Sequence, residues 1–206
     1  MIGSGSTMST EYRFLSSKTP LKSFKVIQER ERGLEYRPYH FEDMFYISTN
    51  IDNSTNFKLV KTPILSPSKN NWKDVINHRD DVLLEEVDFF RNFMVIGERN
   101  NGLLKIRIKS WDGNQDYYLG FKSGFDFENE TYDASIGLNP DFDTNILRYN
   151  YTSLTTPYSV IDYNLDTQDE EIQKQQEVLG GEFNSDNYTS ERLFATYSKY
   201  TYKLWL

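Results

Sequence analysis

Short apolar and aromatic runs recur along this chain at a spacing of about fifty positions. The run Met44–Asn50 returns as Phe93–Asn100 and again as Ile146–Thr152. Each copy follows a more polar segment that contains aromatic residues. Each is followed by a third run: Phe57–Val60, Leu103–Ile108 and Ser159–Tyr163. A fourth run closes each unit: Trp72–Ile76, Tyr117–Phe121 and Ile172–Glu177. In Lys105–Lys109, Ile106 and Ile108 alternate with charged residues, the pattern of a strand with one wet face. Phe93–Ile96 is apolar throughout, the pattern of a strand covered on both faces.

Four short strands in a unit of roughly 40–50 residues describe a β-propeller blade. The expected fold is therefore all-β: a partial β-propeller of about three and a half four-stranded antiparallel blades. A half blade is expected over residues 8–30, with strands at Glu11–Leu15 and Phe24–Gln28 and without its inner two strands. Full blades are expected at about 34–78, 82–121 and 132–178. Asn70-Asn71, Asn100–Gly102, Trp111–Asn114 and Asn139–Asp141 supply the turns. Asn-Gly between apolar runs is a strong hairpin signal, here in a loop read as slightly longer than two residues. Gly3–Ser6 reads as a flexible terminal stretch. Asp166–Gln176 has the propensity of a polar helix, but its place in the repeat favours a turn and an outer-edge strand. After Gly180-Gly181 the chain turns polar, and a new strand-like run begins at Arg192–Thr196. That sets a boundary near residues 181–190.

The 206 residues suffice for one sizeable core. Aromatics reach 16%, with 15 Tyr and 14 Phe, which suits strands and argues against disorder. The net charge is −8 and no stretch is dense in Lys or Arg, so nucleic acid is not an expected partner. Acidity keeps the protein soluble and could draw cationic peptides towards a channel. The absence of cysteine excludes disulfides and thiolate metal sites. No apolar run approaches the roughly 20 residues of a helical membrane span, and no membrane partner is expected. Met1–Thr7 lacks the charged and apolar regions of a signal peptide. A cytoplasmic setting is expected, with a periplasmic one left open because the N-terminus reads as truncated. Asn53, Asn129, Asn150 and Asn187 each open an Asn-x-Ser/Thr triplet, read as chance matches.

Nucleophilic catalysis needs a nucleophile, a base within reach and an orienting acid. The Gly-x-Ser-x-Gly elbow is absent. In Gly120–Gly124 the serine, Ser123, stands one place too late. The chain has two histidines, His40 and His78, both read as surface or packing residues. His78 with Asp80 and Asp81 resembles a metal cluster only superficially. The acidic pairs Asp80-Asp81, Glu85-Glu86 and Glu170-Glu171 point to opposite faces of any strand that carries them, and read as solvated ends. No catalytic, cofactor-binding or metal-ligating residue is assigned, and no cofactor is expected.

A more specific likeness lies in Leu147–Pro157, Val160–Asn164, Lys174–Gly181 and Tyr188–Arg192. Arg30–Tyr36, Asn56–Leu59, His78–Glu85 and Glu98–Leu103 agree with it. In order and spacing these segments resemble the oligopeptidase-B branch of the prolyl oligopeptidase family of serine peptidases, over nearly the whole chain. The resemblance implies a seven-bladed propeller joined to an α/β-hydrolase domain that carries a Ser-Asp-His triad. Residues 1–181 match the later part of that propeller, and 182–206 the start of the crossing into a hydrolase domain missing from this chain. Tyr197–Leu206 departs from the family pattern, and a premature end after a frame shift is the expectation. No triad residue carries over. Neither do the carboxylates that recognise basic side chains, which the resemblance places in the missing domain.

What the resemblance implies is a parent peptidase that cleaves short peptides after Arg or Lys, its propeller excluding folded proteins. The partners are then the hydrolase domain and short basic peptides. This chain alone is expected to be inactive. The alternative is a self-standing propeller-type binding module that oligomerises. A partial ring should expose two end faces rich in Phe, Tyr, Ile and Val, together with open strand edges, and so self-associate.

Overall fold

Where the sequence alternates, the chain pairs. The computed structural model describes residues 1–6, 8–19, 22–120, 127, 131–181, 183–197 and 200–205. Phe121, Ser123 and Asn129 fall outside them. The chain divides into two parts, residues 1–84 and 85–206.

The first part opens with a three-stranded antiparallel sheet of β1 (Ile2–Ser6), β2 (Ser9–Phe14) and β3 (Lys25–Val26). Gly3–Ser6 is thus not a flexible stretch. It pairs with Ser9–Tyr12, because backbone hydrogen bonds along a neighbouring edge do not depend on the apolar side chains the segment lacks. A four-stranded sheet follows: β4 (Tyr36–Phe41), β5 (Met44–Thr49), β6 (Lys58–Pro63) and β7 (Lys73–Ile76), in chain order. Ile27, Leu34, Tyr36, Phe45, Ile47 and Val60 form the core here, with Tyr12, Phe14 and Trp72 packed against it. Tyr36 joins the two sheets. Its hydroxyl donates to the Gln28 carbonyl at 2.6 Å and accepts from the Tyr12 N–H at 2.9 Å.

The next sheet is β8 (Val82–Phe89), β9 (Phe93–Asn100), β10 (Leu103–Ser110) and β11 (Asp116–Tyr118). The last is β12 (Tyr132–Ile136), β13 (Ile146–Ser153), β14 (Ser159–Asn164) and β15 (Glu170–Gln175). A hairpin of β16 (Arg192–Tyr197) and β17 (Tyr200–Trp205) follows. Phe93–Ile96 is buried on both faces, as its unbroken apolar run requires. Val95, Ile106 and Ile108 share one core with Tyr132, Leu147, Tyr149, Tyr151, Ile161 and Tyr163 of the last sheet. Each fully buried aliphatic side chain there contributes about 1.5–3 kcal/mol. Phe127 lies edge-on to Tyr132 and Tyr151, with ring centroids 5.1 and 5.3 Å apart. The Tyr132 hydroxyl donates to the Leu104 carbonyl at 2.7 Å, so the layer carries polar as well as apolar ties.

Two further expectations need correcting, and one is met. Asn100 pairs with Leu103, so Asn101-Gly102 is a minimal two-residue turn. Its φ angles of 55° and 85° explain the Asn-Gly choice. As its place in the repeat favours, Glu170–Gln175 is a strand that pairs with β14, after a turn in which Gln168 has φ 63°. Pairing along β14 overrides its helix propensity. The outward faces of the first and last sheets are polar rather than rich in Phe, Tyr, Ile and Val. On the last sheet Arg148 grips Asp162 through two contacts of 2.7 Å, and Asn150 donates to Ser135 at 3.1 Å. On the first, Arg13 contacts Glu11 at 2.9 Å and Arg30 reaches Ser9 and Ser4 at 3.0 and 2.7 Å. Period-2 alternation puts every second residue of these strands outward, and most of those residues are polar, with Ile2, Ile146 and Val160 among the exceptions.

Candidate functional site

In residues 85–206 the turns that follow the second strand of each sheet carry several polar ties. Asn101-Gly102 is held from both sides. Arg99 spans the Glu85 carboxylate at 2.5 and 2.9 Å and donates to the Gly102 carbonyl at 2.9 Å. Arg192, at the start of the final hairpin, donates to the Asn101 carbonyl. The Thr131 hydroxyl donates to Ser190 at 2.6 Å. The strand-exit segment is thereby fastened where it returns to the sheets.

Between the 153–158 turn and the outgoing chain lie two open clefts of about 480 and 660 Å³. Phe183 lines both, with Pro157 and Val178. A third cleft, about 380 Å³, is lined by Gly102, Thr131, Asp133 and Leu154. The hydroxyls here are engaged: Thr152 donates to the Thr156 carbonyl at 3.1 Å, and Ser153 lies 3.3 Å from the Thr155 hydroxyl. Surfaces of this kind can hold or deflect an extended chain. Among the described residues that line them, no nucleophile, base and acid are arranged as acyl transfer needs.

The histidines sit elsewhere. His40 is exposed and edge-on to Phe45, with centroids 5.9 Å apart. His78 Nε2 accepts from the Asn56 N–H at 3.3 Å, and its Nδ1 lies 3.8 Å from Asp80. Among the described residues no group of three His, Asp or Glu side chains is arranged to hold a metal ion.

The acidic pairs diverge, as adjacent strand residues must. Glu85 takes Arg99, whereas the Glu86 carboxylate accepts from the Ile136 N–H at 3.2 Å. Both are half-buried, so this pair is not a solvated end: each carboxylate has a fixed donor that replaces water. Glu170 likewise accepts from the Tyr149 hydroxyl at 2.9 Å, and burial pushes its carboxyl above the ordinary range. Burial does the same to Asp88. Glu98 went unnoticed in the sequence. It is buried on β9 and accepts from the Tyr118 hydroxyl at 2.5 Å and from Arg107 at 3.4 Å. The available signal was a lone acid ending the apolar run Phe93–Gly97.

Residues 1–176 match the family model for the N-terminal β-propeller domain of prolyl oligopeptidase. The chain belongs to the prolyl oligopeptidase family. Among its relatives, dipeptidyl aminopeptidase BI of Pseudoxanthomonas mexicana is 38% identical over 190 residues, which cover 92% of this chain and 25% of that protein. Protease 2 of Moraxella lacunata is 26% identical over 193 residues, covering 94% and 26%. Oligopeptidase B from Trypanosoma brucei superposes with a TM-score of 0.82 at 27% identity, over 94% of this chain and 28% of that one. The enzyme from Leishmania major gives 0.81 at 25% identity, with the same coverage. The chain thus spans about a quarter of the length of these prolyl oligopeptidase relatives. Its four-stranded sheets are the blades of the family's propeller. The Asn101-Gly102 and 153–158 turns lie within the matched residues.

Proposed function

We propose that this chain is the substrate-gating propeller portion of an oligopeptidase-B-like serine peptidase. In its full-length form that peptidase cleaves short peptides after Arg or Lys. The partner of this chain is the family's hydrolase domain, and residues 182–206 begin the crossing towards it. The 206 residues are inactive by themselves and need no cofactor. What carries the reading is the match of residues 1–176 to the propeller model, together with the likeness to oligopeptidase B over 94% of the chain. The rigid sheets act as a wall: they admit thin, extended peptides and turn away folded proteins.

Two measurements test this. The purified chain should not turn over an arginyl reporter substrate; turnover would overturn the inactivity. A chimera in which this chain replaces the matching part of the Trypanosoma brucei enzyme should cleave short arginyl peptides and spare folded proteins. A chimera that folds and digests both alike would remove the gating role.

A second reading concerns the cut. The relative at 38% identity is named a dipeptidyl aminopeptidase, whereas those named protease 2 and oligopeptidase B stand at 26% and 27%. A parent enzyme of the first kind would act on peptides with a free N-terminus. Blocked and unblocked arginyl peptides offered to the full-length protein would separate the two.

A further inference from the structure

Asn56 ties the turn that follows β5 to the connection that leads out of β7. Its N–H donates to His78 Nε2 at 3.3 Å. Its side-chain amide donates to the carbonyls of Arg79 and Asp80 at 3.1 and 2.7 Å. Its own carbonyl accepts from the Leu84 N–H at 3.0 Å. The turn needs such fastening. Asp52, Asn53 and Phe57 have φ angles of 58°, 61° and 60°, and non-glycine residues keep that conformation only where their surroundings impose it. A second anchor is Lys58, which contacts Asp52 at 2.9 Å and Asp74 at 3.0 Å.

The two anchors respond differently to acid. Ammonium and carboxylates keep their charges across the neutral range. An imidazole nitrogen accepts a hydrogen bond only while it lacks a proton, and both ring nitrogens become donors in the cation. We propose that His78 is a protonation switch for the 50–57 turn. Neutral His78 holds the Asn56 amide; protonated His78 releases it and pairs with Asp80, whose carboxylate stands 3.8 Å from Nδ1.

The surrounding charges favour that exchange. On the connection itself they are Arg79, Asp80 and Asp81. On the turn, β6 and β7 they are Asp52, Lys58, Lys61, Lys73 and Asp74, of which Lys58 contacts both Asp52 and Asp74. Asp80, with its side chain 99% exposed, is the carboxylate that stands 3.8 Å from the imidazole. By strand order the turn is equivalent to Asn101-Gly102 and to the 153–158 turn. The device therefore acts on one of the propeller's second-to-third-strand turns. It does not depend on the peptidase reading.

Nuclear magnetic resonance on the 206-residue chain between about pH 5 and 8 decides the matter. The Asn56 backbone amide should move with the His78 ring signals. After correction for intrinsic exchange, its protection should fall about tenfold on acidification. His78→Gln keeps an acceptor that does not titrate, so the amide should then be indifferent to pH. His40 serves as the control ring. The proposal is overturned by an Asn56 amide that stays flat while the His78 ring titrates, by a ring that does not titrate in this interval, or by a His78→Gln chain whose Asn56 amide still follows pH.

Discussion

Arg107 and Asp116 close a two-pronged ion pair across β10 and β11: Nε lies 2.6 Å from Oδ1, and Nη2 lies 2.8 Å from Oδ2. Lys109 adds a contact of 2.8 Å to the same carboxylate. Hydrogen bonds from Arg107, and then from Lys109, hold the Asp116 carboxyl at about 2 against the opposing effect of burial. Its unfolded value is near 3.9. A folded value lowered in this way gives stability that is full above about pH 4 and is lost as pH falls towards 2. Asp116→Asn should therefore cost about 1 kcal/mol at pH 7, a figure reduced for the solvent that reaches the pair. It should also flatten the urea midpoint between about pH 4 and 2. An unchanged acid slope in the variant would show that other carboxylates set it.

Tyr132 is the next test. Its ring is buried in the core of residues 85–206, and its hydroxyl is the donor to the Leu104 carbonyl. Tyr132→Phe keeps the ring and strands that carbonyl without its partner, at a cost of about 1–3 kcal/mol. Burial pushes the hydroxyl's pKa well up. Its raised folded value means the contribution is complete below about pH 10 and fades as pH rises beyond. Wild type should lose stability in alkali more steeply than the Phe variant, as read by denaturant midpoints at pH 8 and pH 10.5.

How far the sequence anticipates these features depends on which physical signal each one leaves. Phe93–Ile96 and Ile106/Ile108 announce their strands, because burial on two faces or one leaves an apolar run or an alternation. Asn101-Gly102 announces its turn for the same kind of reason: a positive φ needs particular residues. Ile2–Ser6 leaves no such trace, since its pairing rests on backbone groups that every sequence has. Glu85, Glu86 and Glu98 look in sequence like any surface acid. Their donors lie on other strands or other sheets, and only register brings Arg99, Ile136 and Tyr118 to them. The apolar end faces anticipated for a partial ring fail because the blade argument concerns neighbours. It ignores that the outer positions of β2 and β12–β14 are already mostly polar.

Gly97 shows how little room register leaves. A Cβ on Gly97 would stand 2.7 Å from Glu86 Cγ. Glu86 is fixed by its bond to the Ile136 N–H, so it cannot swing aside without releasing that donor. Gly97→Ala should cost about 1–3 kcal/mol. The double variant with Glu86→Ala should recover part of the loss, because the clash is gone. A pair of losses that simply add would place the strain elsewhere.

The polar outward face of the last sheet makes a statement about association. Arg148 and Asp162 satisfy each other there, while Asp133 and Ser135 are exposed beside them. A face of this kind gives a second copy little apolar area to remove from water, and separating its ion pair leaves two charges without partners. It should therefore act like the polar outer face of a capping repeat. Replacing the pair with Arg148→Leu and Asp162→Leu exchanges those charges for two aliphatic side chains next to Val160, while the core on the opposite face is untouched. The double variant should keep its circular dichroism spectrum and sediment as larger species than wild type at the same concentration. Arg148→Lys should not, because the charge stays. Should wild type and the Leu pair sediment alike, whether both as monomers or both as oligomers, this face does not govern association, and the edges of β7, β11 and β15 become the surfaces to change.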